Sequence, residues 1–282
     1  MDSEDSRAEY GVSVDKVMVP VRDGVRLATD IYRPAKDGRP VPGKFPAILL
    51  RTPYDRRSQR FVLEAEYFAR RGYVVAVQDC RGRFESEGEF YLLANEGPDG
   101  YDTVEWTARQ PWSNGSVGTM GTSYMAWVQT ALAVLNPPHL KTMIVNQGAT
   151  NAHDSSMRHG GAFEMRWMGW AFSGAASSKE AMADPRVAAA FSRVDIKEWL
   201  TRTPIKRGCS PLRLVPSYER WFFDLLTHGD YDGFWRRPCF AFDEYFNQHA
   251  DVPVYYTGSW YDSSLAPQLR DTWVWLGESR VP

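Results

Sequence analysis

The sequence predicts an α/β fold in which a mostly parallel sheet is covered by helices on both faces. Short continuous apolar runs, typical of strands buried on both faces, alternate with helical stretches over the first 150 residues. Strand-like segments then stop and return only at about residue 252. A helical block between two strands of one sheet predicts a cap over the carboxyl edge of that sheet.

The elements of the first 150 residues begin with a hairpin. Residues 12–33 alternate in the strand manner around an Asp23-Gly24 turn, and the Pro- and Gly-rich residues 34–44 form a loop. The strands that follow are predicted at 45–50, 73–77, 117–122 and 143–145. The helices between them are predicted at 61–71, 98–109 and 124–135.

Three parts of the chain are predicted from this pattern. Residues 1–150 form the first part of the core, 151–250 a helical cap, and 251–282 the second part of the core. The cap is expected to hold helices and no strand, with helices at 179–200 and 218–228. The second part of the core is expected to hold a strand at 252–257 and a helix at 265–277.

Composition limits the class of partner. Hydrophobic residues are 43% and charged residues 24% of the chain, which is ordinary for a soluble globular protein. Aromatic residues reach 14% with 11 Trp, which suits an aromatic-lined cleft for a small molecule. The net charge of −2, with scattered basic residues, gives no basis for a nucleic-acid partner.

The cysteines and the N-terminus bear on metals and location. Cys80, Cys209 and Cys239 are an odd number without CxxC spacing, so we expect neither a disulfide framework nor a zinc site, and no cofactor. The first ten residues, MDSEDSRAEY, lack the apolar segment of a secretion signal. No apolar run approaches the ~18 residues that a membrane span needs. We therefore expect a cytoplasmic protein without a membrane partner; its oligomeric state is not predicted.

The tetrapeptide 121–124 (GTSY) stands where an apolar strand turns into a helix. Small neighbours permit the sharp turn that lifts the hydroxyl of Ser123 clear of the backbone, and the helix that follows offers amides to a developing oxyanion. This context favours Ser123 as a nucleophile. The alternative is a serine that only caps the helix after it.

Several motifs in order around this turn carry a resemblance. They are RTPYD at 51–55, QDCRGRFESEG at 78–88 and WSNG at 112–115. Together with the turn they resemble the X-prolyl dipeptidyl-peptidase and cocaine-esterase family of serine α/β-hydrolases, from about residue 12 to 150 and again at 251–275. The family's turn reads G-x-S-Y-x-G, and its last glycine is Ala126 here.

The resemblance implies a serine hydrolase that forms an acyl-enzyme on Ser123 from acyl esters or amides, X-Pro peptides included. It implies that the hydroxyl of Tyr54 and the backbone N–H of Tyr124 form the oxyanion hole. In GSWYD at 258–262, which matches the family's G-W-Y-D with Ser259 intervening, it implies Asp262 as the acid of the triad. Tyr54 could instead be an ordinary loop tyrosine, and Asp262 could also cap the helix predicted at 265–277.

Four further residues have open or structural interpretations. Asp79 and Arg81, at the end of a strand, are expected to hold a loop by charge-assisted hydrogen bonds. Trp167 and Trp170 could line an acyl pocket, and their i, i+3 spacing equally fits packing within a helix.

The base of the triad is the difficulty, because serine needs a histidine to take its proton. The five histidines all precede Asp262, and they are His139, His153, His159, His228 and His249. By topology His153 and His159 are nearest to the active-site edge. The pattern predicts a family member truncated at its C-terminus, without the last strand of the sheet and the C-terminal β domain. It predicts poor ester hydrolysis, and the alternative function is that of a catalytically inactive hydrolase-fold fragment or binding protein.

Overall fold

The computed structural model describes residues 8–258, and a long antiparallel strand pair opens its central sheet. Strand β1 (Gly11–Pro20) pairs along its whole length with β2 (Arg26–Lys36), which confirms the predicted hairpin. The short strand β3 (Arg39–Pro40) lies within the segment that was predicted to be a loop and pairs antiparallel with the end of β2. Strand β2 then runs antiparallel to β5 (Val74–Asp79) and joins the hairpin to the parallel part of the sheet.

The rest of the sheet is parallel. It contains β4 (Phe45–Thr52), β5, β6 (Ser113–Thr122), β7 (Leu140–Asn146) and β10 (Val254–Thr257). In the part of the chain that the structure describes, the order across the sheet is β1-β2-β5-β4-β6-β7-β10. Strand β6 begins four residues before its predicted start, because Ser113 already pairs with Phe45. The sequence did not indicate this, since residues 113–116 are polar and form no apolar run.

Helices cover both faces of this sheet, as the apolar runs predicted. Alternate residues of β4 point to opposite faces, so Leu49 and Leu50 belong to different apolar cores. Helix α1 (Gln59–Ala69) packs in the core of Leu50. Helices α2 (Glu96–Ala108) and α3 (Tyr124–Ala133) pack in the core of Leu49.

Residues 151–250 are mainly helical. The α-helices are α4 (Arg166–Ala176), α5 (Lys179–Ala183), α6 (Pro185–Ser192), α7 (Ile196–Thr201) and α8 (Pro216–Thr227). A π-helical turn spans His153–Met157, and 3₁₀ turns span Pro211–Leu214 and Phe242–Gln248. The helices α4 and α8 share a large aromatic core with Tyr124 and Trp127 of α3, so this region packs directly on the carboxyl side of the sheet.

Two predictions for this region were wrong. The single helix predicted at 179–200 is three helices, because Pro185 has no N–H to continue α5 and instead starts α6 with Asp184 as its cap. The region also contains a small hairpin, β8 (Arg158–His159) with β9 (Ala162–Phe163). Its turn uses Gly160 and Gly161, both with positive φ.

The helix predicted at 265–277 lies outside the described residues. Within residues 8–258, no helix combines the length and the apolar character that crossing a membrane requires.

Candidate active site

Ser123 occupies the junction between β6 and α3. Its backbone has φ of 61° and ψ of −122°, a conformation that a residue other than glycine adopts only when its surroundings enforce it. The amide of Ser123 donates to the carbonyl of Asn146 at 2.9 Å, and its own carbonyl accepts from the amides of Ala126 and Trp127. The hydroxyl makes no capping bond to α3, so the structure does not show the capping alternative.

Glycine at 121 is required by the close return of the chain at this turn. A Cβ on Gly121 would lie 2.4 Å from the Cβ of Met125, closer than any real contact allows. Ala126, which stands in place of the family's last glycine, is fully buried in the core of the sheet. The turn thus accommodates a methyl group at 126 but none at 121.

Ser123 opens into a cavity of about 310 Å³ between the sheet and the helical region. Five of the eleven residues that line the cavity are aromatic, one is a leucine and five are polar. The lining comprises Tyr54, Leu93, Ser123, Tyr124, Trp127, Gln147, Ser156, Arg166, Trp167, Trp170 and Ser173. Walls that combine apolar and aromatic side chains with polar groups are typical of sites for small organic ligands.

Tyr54 reaches this cavity from the loop after β4. The hydroxyl of Tyr54 accepts a hydrogen bond from Nε1 of Trp170 at 3.4 Å, and both Tyr54 and Ser123 line the cavity. Burial raises the pKa of the Tyr54 phenol, and the neighbouring side chains of Trp170 and Ser123 oppose that rise only in part. The phenol therefore keeps its proton at neutral pH and is available as a donor beside Ser123.

Tyr124 is the first residue of α3, so its backbone amide has no carbonyl to bind within the helix. The ring of Tyr124 stacks on Trp170 with centroids 5.9 Å apart and planes 5° from parallel. The hydroxyl points away from the cavity, where it donates to the carboxylate of Glu96 at 2.8 Å and accepts from the amide of Leu93 at 3.1 Å. Burial raises the pKa of this phenol well above its usual value.

A buried ion pair lies behind Tyr124. The carboxylate of Glu96 is 2.9 Å from the guanidinium of Arg51, and neither side chain is more than 4% exposed. Arg51 also donates to Gln78 at 2.8 Å. Sequence analysis singled out neither the pair nor its contact with Tyr124; the only local signals were Arg51 within the RTPYD motif and Glu96 in the first turn of α2.

The structural interpretation of Asp79 and Arg81 is confirmed. Asp79 accepts from the backbone amide of Arg56 at 2.8 Å and from its guanidinium at 2.6 Å. Arg81 binds Asp23 and Asp99, each at 2.6 Å. These bonds hold the loops after β4 and β5 without reaching the cavity.

Both interpretations of Trp167 and Trp170 hold. The two side chains pack within the aromatic core of α4, and both line the cavity. Trp167 is fixed by a hydrogen bond from its Nε1 to the carbonyl of Ser156 at 3.0 Å.

None of the five histidines, all of which the structure describes, lines the cavity. The two nearest by topology have other partners. His153 contacts Asp154 at 2.6 Å through Nδ1 and the carbonyl of Gly229 at 3.0 Å through Nε2, and His159 lies 3.5 Å from Glu164. Asp262 lies outside the described residues. Between residues 8 and 258, no group of three or more His, Cys, Asp or Glu side chains is placed to hold a metal ion.

Solved structures with similar folds include an aminopeptidase from a Thaumarchaeota archaeon, with a TM-score of 0.73 and 24% identity over 96% of this chain and 47% of that one. An α-amino acid ester hydrolase has a TM-score of 0.67 and 21% identity over 96% of this chain and 46% of that one. A CocE/NonD family hydrolase from Staphylococcus aureus has a TM-score of 0.62 and 25% identity, over 89% of this chain and 42% of that one. Together with the strand order and the helices that connect the parallel strands, these likenesses identify the α/β-hydrolase fold.

Curated relatives resemble the chain in sequence. Cocaine esterase from Rhodococcus sp. is 34% identical over 277 residues, which are 93% of this chain and 46% of the esterase. A putative serine esterase from Mycobacterium bovis is 32% identical over 163 residues, which are 49% of this chain and 26% of that protein. The chain thus spans about half the length of cocaine esterase. The family model of the X-Pro dipeptidyl-peptidase (S15 family) matches residues 23–279, most of the sequence, and the chain therefore belongs to this family.

Proposed function

We propose that the chain carries the nucleophile and the oxyanion hole of a serine hydrolase that acts on acyl esters or amides. The observation that supports this most strongly is the turn at Ser123, which has φ of 61° and opens into a cavity with the hydroxyl of Tyr54 beside it. A serine hydroxyl that opens into a cavity, with a protonated hydrogen-bond donor beside it, supplies two of the groups that acyl transfer uses.

In the proposed reaction, the Oγ of Ser123 attacks the acyl carbonyl while its proton passes to a base. The carbonyl oxygen becomes an oxyanion, which the O–H of Tyr54 and the N–H of Tyr124 stabilise, each donor contributing about 3–4 kcal/mol in other acyl-transfer enzymes. Expulsion of the alcohol or amine leaves an acyl-enzyme, which water hydrolyses. We assign Asp262 as the acid that orients the base.

The proposed substrate is a small molecule. Five aromatic side chains and Leu93 line the cavity beside five polar residues, so an ester or amide with an apolar acyl group and a polar carbonyl fits it. X-Pro peptides are also among the proposed substrates, because the chain belongs to the family of the X-Pro dipeptidyl-peptidase. The net charge of −2 supports neither a nucleic-acid nor a membrane-surface partner.

A fluorophosphonate probe tests the assignment of Ser123. The intact protein, as its cell makes it, is incubated with the probe, digested and analysed by mass spectrometry. We expect one labelled peptide, which contains Ser123, and no labelling of Ser123→Ala. Ser173→Ala is the matched control, because Ser173 lines the same cavity and should leave the labelling unchanged. Labelling that persists in Ser123→Ala would refute the proposal.

A second candidate function is that of a binding protein which uses the same cavity without catalysis. It is favoured by one observation, that no histidine of the described residues lines the cavity. The two functions separate on the intact protein with an aryl ester. Turnover abolished by Ser123→Ala indicates the hydrolase, whereas saturable binding of the ester without turnover or labelling indicates the binding protein.

A further inference from the structure

Arg83 is an almost completely buried arginine on the loop after β5, with 3% of its surface exposed. Its guanidinium has four polar partners, which lie on both sides of the boundary between the sheet domain and the helical region. It donates to the carbonyl of Pro53 at 2.9 Å, the carbonyl of Gly174 at 3.0 Å, the hydroxyl of Ser177 at 2.7 Å and the hydroxyl of Tyr218 at 2.5 Å.

These partners are all uncharged. Among residues 8–258, no carboxylate forms an ion pair with Arg83, in contrast to Arg51, Arg56 and Arg81. The rings of Phe90 and Tyr218 lie 5.6 and 5.9 Å from its guanidinium carbon and offer cation–π contacts. Burying a cation without a counter-charge costs free energy, and here four neutral oxygens offset part of that cost. An arginine kept in such a place is a candidate for a role beyond packing.

The partners surround the contact between Tyr54 and Trp170. The carbonyl of Pro53 belongs to the peptide bond that leads into Tyr54. Gly174 is one helical turn after Trp170 in α4, and Trp170 donates to the hydroxyl of Tyr54. The guanidinium of Arg83 therefore binds both the loop that carries Tyr54 and the helix α4, which carries Trp170.

Gly174 makes this arrangement possible. A Cβ at 174 would lie 2.7 Å from the ring of Tyr218, so any side chain there would push α4 and α8 apart. With glycine, the Tyr218 hydroxyl and the Gly174 carbonyl both reach the same Nη1 of Arg83.

We propose that Arg83 is a positioning residue for the oxyanion hole. By binding the Pro53 carbonyl and the end of α4 together, it fixes the hydroxyl of Tyr54 between Trp170 and Ser123. This inference rests on the proposed function, in which Tyr54 donates to the oxyanion. Misplacement of a catalytic group by about 1 Å can cost about 100-fold in rate, so a loosened Tyr54 would lower kcat.

A double-mutant cycle between Arg83→Met and Tyr54→Phe tests the proposal on the intact protein with an aryl ester. Arg83→Met should lower kcat about tenfold or more when Tyr54 is present, by the misplacement argument. In the Tyr54→Phe background it should lower kcat by less than about twofold, since the group that it positions is gone. Arg83→Lys, which keeps the charge but only one nitrogen, should fall between native and Arg83→Met.

Arg158→Met is the matched control. Arg158 is also buried and bonded to carbonyls, those of Gly161, Leu225 and Leu226, but all of them lie within the helical region. Its loss should change kcat by the same factor with and without the Tyr54 hydroxyl. Changes in KM are expected for both Arg83 variants, because Arg83 binds the end of α4 and α4 also forms the cavity wall.

Two outcomes overturn the proposal: Arg83→Met leaves kcat unchanged, or it lowers kcat by the same factor in both Tyr54 backgrounds. If Arg83→Met does not fold, Tyr218→Phe and Ser177→Ala remove single partners of the guanidinium, and the same comparison of backgrounds decides. Failure of the proposed function gives a different result, because Tyr54→Phe or Ser123→Ala alone would then leave turnover unchanged.

Discussion

The hydroxyl of Tyr124 donates to the carboxylate of Glu96 at 2.8 Å, behind the cavity and not within it. Tyr124 adjoins Ser123, and Glu96 is paired with Arg51 at 2.9 Å, so the residue after Ser123 is bound to a buried ion pair. The side chain of Tyr124 thus stabilises the turn, while its backbone amide has no partner within α3 and is the proposed oxyanion donor.

Breaking this ion pair should destabilise the fold. Glu96→Gln keeps the shape of the side chain but removes the nearer charged partner of Arg51 and leaves only Asp99 at 3.9 Å, with an expected loss of about 3 kcal/mol in the free energy of unfolding. Urea unfolding of the native protein and the variant measures the loss. Glu66→Gln is the control, since its exposed pair with Arg70 at 3.6 Å should contribute less than about 0.5 kcal/mol. A loss for Glu96→Gln as small as that of the control would contradict the assignment.

Removing the Tyr54 hydroxyl should affect kcat more than KM. One lost oxyanion donor costs about 100- to 1,000-fold in kcat in other enzymes, and the ring that remains still forms part of the cavity wall. Steady-state kinetics of Tyr54→Phe with an aryl ester checks this. Tyr67→Phe, an exposed tyrosine on α1, serves as control and should leave kcat unchanged. A Tyr54→Phe enzyme that changes KM alone would exclude Tyr54 from the oxyanion hole.

The stability of the protein should fall below about pH 4.5 through Glu85, among other groups. Hydrogen bonds from Lys16 and then Arg56 lower the pKa of Glu85 from 4.5 to about 2. A folded-state pKa below the unfolded one stabilises the protein above the unfolded value, and that contribution disappears as the pH falls from about 4.5 towards 2. Because Glu85 is part-exposed, solvent screening keeps the effect modest.

Thermal melts of the native protein and Glu85→Gln, taken at several pH values, measure this contribution. The difference in Tm should be largest near neutral pH and shrink as the pH falls through this window. Lys16→Met removes the main hydrogen-bond donor to Glu85, so the loss of Tm between neutral pH and about pH 3 should be smaller in this variant than in the native protein. A Tm difference that stays constant down to about pH 3 would show that the ion pairs of Glu85 do not shift its pKa.

The charge of the cavity should select among acyl groups. Arg166 is part of the lining, and although its Nε pairs with the carboxylate of Glu164 at 2.8 Å, no carboxylate of the described residues lines the cavity itself. We therefore expect a phenylacetyl ester to react with a higher kcat/KM than the matching phenylglycyl ester, whose ammonium group meets the guanidinium, by about threefold, since Glu164 offsets part of the charge.

Arg166→Met should narrow this difference by raising kcat/KM for the phenylglycyl ester. Competition between the two esters in one assay gives the ratio directly. A preference for the ammonium ester would contradict this expectation.

A polypeptide of only these 282 residues should hydrolyse esters slowly. None of its histidines lines the cavity, so Ser123 keeps its proton and only the oxyanion hole and binding act, which in other enzymes leaves about 10³- to 10⁴-fold over water. Turnover of the polypeptide and of its Ser123→Ala variant measures this residual activity. An ordinary enzymatic rate that Ser123→Ala abolishes would contradict the expectation, and His153→Gln and His159→Gln would then locate the base.

Local signals in the sequence were enough to predict the sheet and the turn at Ser123. The apolar runs of β4 and β5 are continuous and of strand length, as in strands that are buried on both faces, so they predict the centre of a sheet. Gly121 and Ser123 between a strand and a helix indicated the turn, because its geometry depends on residues adjacent in the chain. The division of 179–200 at Pro185 was also open to local reasoning, and the error there was one of interpretation.

Only the tertiary structure decided which distant groups surround that turn. Glu96 and Arg51 are 45 residues apart, and Arg83 and Tyr218 are 135 residues apart, so no spacing rule links them. Their contacts depend on how α2 and α8 pack against the sheet, and a buried charge is tolerated only after that packing has supplied its oxygens. The sequence by itself determined the position of the turn at Ser123; the packing of the helical region on the sheet determined what holds Tyr54 and Tyr124 beside it.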